Sequence, residues 1–144
     1  MKWIFFLMVC MISVTGTGIR WAAAQQTEPE AASSLSVAGA VFCRGVEERE
    51  PVGNAVTFSP DTGRIYLWTE IEAARIPATV THVWYYGQTK LLEVPLSVDY
   101  SRTRTWSYKT IVPDWVGDWH ADIVDENGTV LKRVSFTIGG DQEQ

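Results

Sequence analysis

The sequence predicts an all-β fold, an immunoglobulin-like antiparallel β-sandwich of two sheets with about seven strands. Runs of about eight residues alternate apolar and polar side chains, or are rich in β-branched and aromatic residues, as is typical of strands. Turns rich in Gly, Pro and Asn separate these runs at the spacing of a sandwich. The one stretch compatible with a single helical turn is EIEAARI at 70–76.

The predicted strands are joined by recognisable connections. A long polar connection and the turn SPDTG follow the first strand, GQTK turns the chain after the third, and PDWVG forms a later corner. The last two strands form the clearest hairpin, joined by ENG, in which Gly128 is free to take a positive φ angle. The seven predicted strands are 36–43, 64–71, 79–86, 91–98, 104–112, 119–125 and 129–138.

The N-terminus has the order of a secretory signal. A positive charge at Lys2 precedes an uncharged apolar stretch at 3–14, and three alanines at 22–24 precede two glutamines. The alternative is an uncleaved membrane anchor, but the apolar stretch is slightly shorter than the roughly 20 residues of a spanning helix. We therefore expect a signal peptide or N-terminal anchor at 1–24 and a periplasmic or otherwise extracytoplasmic protein. Contact with a membrane is expected only if this segment is retained.

The remaining chain divides by composition into three parts. Residues 25–35 are polar and small, as in a flexible linker. The β-sandwich domain is predicted at 36–139, and an acidic tail follows at 140–144. This length suits one domain.

Charge and cysteine content exclude some classes of function. The formal net charge is −5. Residues 1–24 carry the positive charges of Lys2 and Arg20 and no negative one, so their removal would leave a charge of −7. An acidic domain repels a phosphate backbone, so nucleic acid is not expected as a partner. Cys10 would leave with the signal, and Cys43, in the apolar run AVFC, is predicted to be a buried structural thiol.

Several longer motifs carry a family resemblance. The order THVWYYG, RTRTWSYK and GDWHADIVDENGTVLKRVSFTI, preceded by AVFCRGVEEREPV and RIYLWTEI, resembles the bacterial family catalogued as domain of unknown function 2914. The resemblance spans 37–138. It implies an exported or membrane-tethered β domain. The family carries no agreed activity or catalytic residues, so the resemblance assigns no site residues to this chain.

The candidate polar cluster is formed by His82, His120 and Asp122. His120 and Asp122 share one face of a predicted strand, and His82 would approach them if the two strands were neighbours. Such a cluster could bind a metal or act in acid–base chemistry, but the usual zinc motifs are absent and the alternative is a hydrogen-bonded or exposed pair. Ser107 lies beside no base in the sequence. We therefore expect no catalytic residue, no metal and no cofactor.

The aromatic residues are the candidate contact surface. In HVWYYG, His82, Trp84 and Tyr86 share one face and Tyr85 lies on the other. We expect Trp84 in the core and Tyr85 on an exposed face with at least one of Trp68, Trp106 and Trp115. The reason is that aliphatic side chains already cover both inner faces, which leaves room for one central tryptophan. The apolar residues expected to cover the inner faces are seven aliphatic ones and one phenylalanine: Leu67, Ile71, Val94, Leu96, Ile111, Ile123, Val134 and Phe136.

Three functions are compatible with this pattern. The favoured one is a noncatalytic binding module of the bacterial cell envelope that contacts a partner protein through an aromatic sheet face. The alternative is a carbohydrate-binding module, in which exposed rings stack on sugars. The third is an enzyme that uses His82, His120 and Asp122.

Overall fold

The computed structural model describes residues 33–139. The predicted signal or anchor, most of the predicted linker and the acidic tail lie outside these residues. Within 33–139 no helix is long and apolar enough to cross a membrane.

The described chain is all-β, as the sequence predicts. The seven predicted strands are present, and three short strands are added in the connection after the first of them. The strands are β1 (Leu35–Cys43), β2 (Gly45–Glu47), β3 (Glu50–Val52), β4 (Thr57–Phe58), β5 (Arg64–Ala73), β6 (Ala78–Tyr86), β7 (Thr89–Val98), β8 (Arg102–Thr110), β9 (Gly117–Val124) and β10 (Val130–Ile138).

Two expectations about the local structure are corrected. Residues 70–73 continue β5 instead of forming a helical turn, because Ile71 and its neighbours pair with β8. β7 already begins at Thr89, within the stretch predicted to be a turn. Gly87 takes a φ of 57°, so the reversal of the chain needs fewer residues than the sequence pattern indicates.

The strands form two larger sheets and one hairpin. The three-stranded sheet has the order β1-β5-β8 and is antiparallel. The five-stranded sheet has the order β4-β10-β9-β6-β7, and its pairs are antiparallel except that β4 runs parallel to β10. β2 and β3 pair with each other as a separate hairpin.

The two larger sheets share one hydrophobic core. Alternate residues of β5, including Ile65 and Leu67, are fully buried on its inner face. Phe42 of the three-stranded sheet packs against two rings of the five-stranded sheet, with ring centroids 5.6 Å from Trp84 and 4.4 Å from Phe136. Large apolar rings from both sheets therefore exclude water from the space between them.

The core contains more tryptophan than expected. Trp84 is fully buried, which confirms its predicted place, and Cys43 is buried as predicted. Trp119 is also buried in the core, so the expectation of one central tryptophan is wrong. Trp119 stacks on Phe136 on the inner face, with centroids 5.7 Å apart. Several of the predicted aliphatic core positions, such as Val94, are only half-buried and leave room for it.

A chain of hydrogen bonds crosses the core between the sheets. The Trp84 indole N–H donates to Ser107 Oγ (3.0 Å), which lies 2.8 Å from His82 Nδ1. His82 Nε2 lies 3.1 Å from Thr69 Oγ1, and the Thr69 hydroxyl donates to the Thr105 carbonyl at 3.0 Å. Since the Thr69 hydroxyl hydrogen is used on Thr105, Thr69 accepts from His82. One consistent assignment follows: His82 carries its proton on Nε2, and Ser107 donates to Nδ1.

Burial keeps this histidine neutral. His82 has no exposed surface, and desolvation lowers its pKa from 6.5 to about 3. The neutral imidazole satisfies both of its nitrogen atoms within the chain of hydrogen bonds. The sheets are therefore joined by a polar contact that needs no charge.

We expect Trp84→Ala to lower the free energy of unfolding by about 3–5 kcal/mol, because the truncation leaves a large cavity and removes the indole donor to Ser107. Tyr85→Ala is the matched control on the next residue and should cost about 1 kcal/mol, as for a partly exposed site. Urea denaturation followed by circular dichroism measures both. A stable Trp84→Ala together with an unfolded Tyr85→Ala would contradict this assignment of faces.

We expect the protein to lose stability through His82 as the pH falls from about 6.5 towards 3. The unfolded chain binds a proton to this histidine in that window and the folded chain does not, so the contribution is complete above pH 6.5. The slope should approach about 1.4 kcal/mol per pH unit below pH 6. Denaturation of the wild type and of His82→Gln at several pH values measures it, with His120→Gln as the control. Equal slopes in the wild type and His82→Gln would refute the expectation.

Candidate functional site

The three residues of the predicted polar cluster do not converge. β6 and β9 are neighbours, as the hypothesis required, but their register places His120 opposite Tyr85 and Asp122 opposite Val83. His82 points into the core, whereas His120 and Asp122 lie on the outer face of the same sheet. Within 33–139 no group of three or more His, Cys, Asp or Glu residues is placed to hold a metal ion.

On that outer face each residue of the pair has a partner. The His120 ring stacks on Tyr85 with centroids 4.6 Å apart and planes 11° apart. Asp122 accepts two hydrogen bonds from Arg133, at 2.6 Å from Nε and 2.8 Å from Nη2. Burial, followed by the charge of Arg133, lowers the pKa of His120 despite the opposing effect of Asp122. His120 is therefore neutral at neutral pH, and Asp122 is occupied by a bidentate ion pair.

One contact between a histidine and a serine, that of His82 with Ser107, was not predicted from the sequence. Ser107 was judged to lie beside no base, yet its Oγ lies 2.8 Å from His82 Nδ1. The two residues lie on facing sheets, 25 positions apart, so sequence proximity gave no signal. Because His82 is fully buried and already fixed by Thr69, this pair is part of the core and not an accessible nucleophile.

The four predicted contact residues lie in three different places. Tyr85 is on the outer face of the five-stranded sheet, and Trp68 and Trp106 are on the outer face of the three-stranded sheet. Trp115 lies in the corner before β9. The expectation of one face shared by Tyr85 and any of the tryptophans is thereby corrected. Outer faces of two sheets that share a core point in opposite directions.

Trp115 packs at one end of the core. Its ring lies 5.6 Å from the ring of Trp119 and 6.2 Å from that of Tyr86, and the Lys109 ammonium lies 4.8 Å from its centroid. Its carbonyl accepts a hydrogen bond from the Trp119 indole (3.1 Å), and the Tyr86 hydroxyl donates to the carbonyl of Val116 (2.8 Å). The corner therefore covers the end of the core, and Trp115 is half-buried there.

Rings and charges are concentrated on the outer face of the three-stranded sheet. In register across β5 and β8, tyrosine faces tyrosine, tryptophan faces tryptophan and glutamate faces arginine twice. We call this the ring-and-charge face; it consists of Tyr66, Trp68, Glu70, Glu72, Arg102, Arg104, Trp106 and Tyr108. The Tyr66 and Tyr108 rings lie 5.5 Å apart, and the Arg64 guanidinium lies 4.5 Å from the centroid of Tyr108.

The hairpin of β2 and β3 covers one part of this face. The Trp68 indole N–H donates to the Arg49 carbonyl at 2.9 Å, and the Arg49 guanidinium donates to the Arg104 carbonyl at 3.2 Å. Glu50 forms an ion pair with Arg104. Glu48 and Arg49 take φ angles of 49° and 66°, which turn the hairpin tightly over the sheet. Trp68 is therefore sealed beneath the hairpin and cannot be the contact residue that the sequence indicates.

The uncovered part keeps two accessible rings beside fixed charges. Trp106 is half-buried, and Tyr108 is 47% exposed. Arg102 lies 2.8 Å from Glu70 and 3.5 Å from Glu72, and its side chain remains 61% exposed. Such exposed ion pairs contribute little to stability. Their arrangement does hold Arg102 at the end of the row that continues through Arg104 to Trp106 and Tyr108.

The chain was compared with family models, curated proteins and solved structures. No curated protein matches the chain. Among solved structures, the chain is similar to the alkylpurine DNA glycosylase AlkC of Pseudomonas fluorescens bound to DNA containing an abasic site analog, with 13% identity and a TM-score of 0.49. The similarity covers 75% of this chain and 31% of that one, so this chain spans about a third of the length of that protein.

The family match falls within the segment whose motifs carry the resemblance. Residues 77–138 match the family model described as "Protein of unknown function (DUF2914)". This segment runs from β6 to β10 and includes Trp84, the Tyr85–His120 stack and the exposed strand β8. The predicted resemblance is thereby confirmed over residues 77–138, the segment from β6 to β10 that is similar to the DUF2914 family.

Proposed function

We propose that this domain is a noncatalytic binding module of the bacterial cell envelope, which contacts a partner protein through the ring-and-charge face. The observation that carries the proposal is the row of Arg102, Arg104, Trp106 and Tyr108 on one sheet face, with the Arg64 guanidinium over the ring of Tyr108. Tyrosine, tryptophan and arginine are the residues most enriched at the centres of protein interfaces. The module is proposed to be immunoglobulin-like, with its seven long strands divided three and four between facing sheets.

The rings of this face are held in place before any partner binds. The ring of Tyr108 packs against Tyr66 and under the Arg64 guanidinium, and Trp106 pairs across the strands with the sealed Trp68. A side chain that is already fixed loses little rotamer freedom on binding. A partner therefore gains contact area on these rings at a small entropic cost.

The state of the candidate polar residues supports a noncatalytic role. Both nitrogen atoms of His82 are engaged in the core, and Asp122 is held by two hydrogen bonds from Arg133. His120 lies flat against Tyr85. The envelope location rests on the N-terminal signal pattern alone.

The ring geometry favours a protein partner over a sugar. A carbohydrate-binding surface presents a flat row of exposed rings on which sugar rings stack. Here the Tyr66 and Tyr108 planes are inclined by 47°, and Trp68 is covered by the hairpin. The partner is therefore expected to be a polypeptide with groups that complement both rings and arginines.

We expect a photoreactive phenylalanine at position 108 to cross-link to a specific envelope protein in intact cells. The same residue placed at Ser97, on the outer face of the five-stranded sheet, is the matched control and should give no such adduct. Adding Trp106→Ala to the cross-linking variant should weaken the adduct severalfold, because a central ring of the interface is lost.

Tyr108→Ala should leave stability within about 1 kcal/mol, which separates a binding defect from unfolding. Equal adducts from positions 108 and 97 would overturn the proposed face. Binding of purified protein to cell-wall glycan that is abolished by Tyr108→Ala would instead favour the carbohydrate-binding alternative.

A further inference from the structure

The edges of the two larger sheets differ in how they are protected against pairing with another strand. β7 carries Lys90, Glu93 and Pro95, and β8 carries two arginines and a lysine. Charges and proline are the usual protections of an edge strand. β4 is only two residues long. β1, with the sequence LSVAGAVFC, is a nine-residue edge strand with neither a charge nor a proline.

Some backbone N–H and C=O groups of β1 point towards its free edge, on the side opposite β5. The Phe42 carbonyl accepts a hydrogen bond from the Ala55 N–H at 3.1 Å, so it points away from β5. Backbone groups alternate in direction along a strand, so the N–H and C=O of Ala40 point the same way. The middle of β1 therefore presents a donor and an acceptor towards the side opposite β5.

An apolar groove of about 400 Å³ lies along this edge. It runs between β1 and β10, two strands that belong to different sheets. Val56, which is 72% exposed, lies on its rim. The lining residues are Ala40, Val41, Phe42, Asn54, Ala55, Val56, Val134 and Ser135.

The chain itself places an extended segment at one end of this groove. Ala55 bonds to the carbonyl of Phe42 on β1, and the Val56 carbonyl accepts from the Thr137 N–H on β10 at 2.9 Å. The following residues form β4, which pairs in parallel with the end of β10. Extended chain can thus bond to both strands at once. At Gly53, with a φ of 72°, the chain turns away towards β1, and β4 does not extend further along β10.

We propose that the groove binds an extended segment of a partner protein, which adds as a strand between β1 and β10. The Thr137 N–H points from β10 towards the segment 54–56, so by the same alternation the backbone groups of Ser135 point to this side. The segment bonds to these groups and to those of Ala40, and its alternate small apolar side chains face Phe42 and Val134. This is the recognition mode of β-strand addition, in which main-chain bonds give affinity and pockets select side chains. It goes beyond the ring-and-charge face, which lies on a different surface.

The shape of the groove selects a single flexible segment over a second copy of the domain. The groove is bounded by backbone on two sides, β1 and β10, and by the segment 54–56 at one end. The edge strand of a folded domain carries its own sheet behind it and cannot enter such a seam. A flexible segment has no such obstacle. The absence of charge among the lining residues selects a neutral, apolar segment.

The probe is an acetylated and amidated octapeptide, Lys-Thr-Val-Thr-Val-Thr-Val-Lys, and its control is the same peptide with the three valine nitrogens methylated. Added to ¹⁵N-labelled protein, the first should shift the backbone signals of Ala40, Phe42 and Ser135 saturably. The methylated peptide should bind at least about tenfold more weakly, because it cannot form main-chain bonds on one side. Equal effects of the two peptides, or shifts confined to other surfaces, would overturn the proposal.

Two variants of the protein test the place of binding. Val56→Asp puts a charge on the exposed rim and should abolish the shifts, whereas Val112→Asp, at an exposed valine outside the groove, should not. Ser135→Pro removes an edge donor and gives an independent check if Val56→Asp fails to fold. Tyr108→Ala should bind the peptide normally, so that failure here is distinguishable from failure of the ring-and-charge face. A stable dimer by sedimentation with no response to the peptide would assign the edge to a second copy instead.

Discussion

The packing of the two sheets depends on the hydrogen-bonded chain that joins Trp84, Ser107, His82 and Thr69. Two of these residues lie on β6 of the five-stranded sheet, and the other two lie on β5 and β8 of the three-stranded sheet. Apolar contacts alone tolerate small shifts of one sheet over the other, since they have no direction. Each bond in this chain is directional, and all donors are used in one consistent order. A shift of the sheets would leave buried polar atoms unpaired, which is costly.

The same constraint separates the two faces of these strands, because the polar side chains on the inner face are engaged in the core and those that alternate with them lie on the outer face. His82 contributes to the core as a neutral bridge, and its partner Ser107 is fixed by the indole of Trp84. With the inner face of β8 committed in this way, alternation directs Trp106 and Tyr108 outwards. The ring-and-charge face is thus the necessary counterpart of the core. Only the part beneath the β2–β3 hairpin is withdrawn from solvent, through the bond from Trp68 to Arg49.

The sequence predicts where the long strands lie and which way their side chains point. It does not predict which strands pair with each other. Period-two alternation correctly gave the seven long strands, the inward direction of Trp84 and the opposite direction of Tyr85. The partners of a strand are not encoded in its alternation. The sequence therefore predicts that Tyr85 shares a face with at least one of Trp68, Trp106 and Trp115, although β6 belongs to a different sheet from the strands of Trp68 and Trp106. Trp68 looked exposed because its cover comes from β2 and β3, whose three residues each are too few to show a period. The contact between Ser107 and His82 also could not be predicted, because it joins strands of two different sheets.

The groove and the ring-and-charge face are physically connected through β1. Val41 lines the groove, and in the register of β1 and β5 it lies opposite Trp68 on the outer face. Its neighbour Phe42 lines the groove from the inner face and packs against Trp84 and Phe136. A strand that bonds to the free edge of β1 would thus bear on residues that contact both the core and the sealed tryptophan. Above Trp68, the hairpin holds Arg104 through Arg49 and Glu50. The contacts are therefore continuous from the groove, through Val41 and Trp68, to Arg104 on the ring-and-charge face.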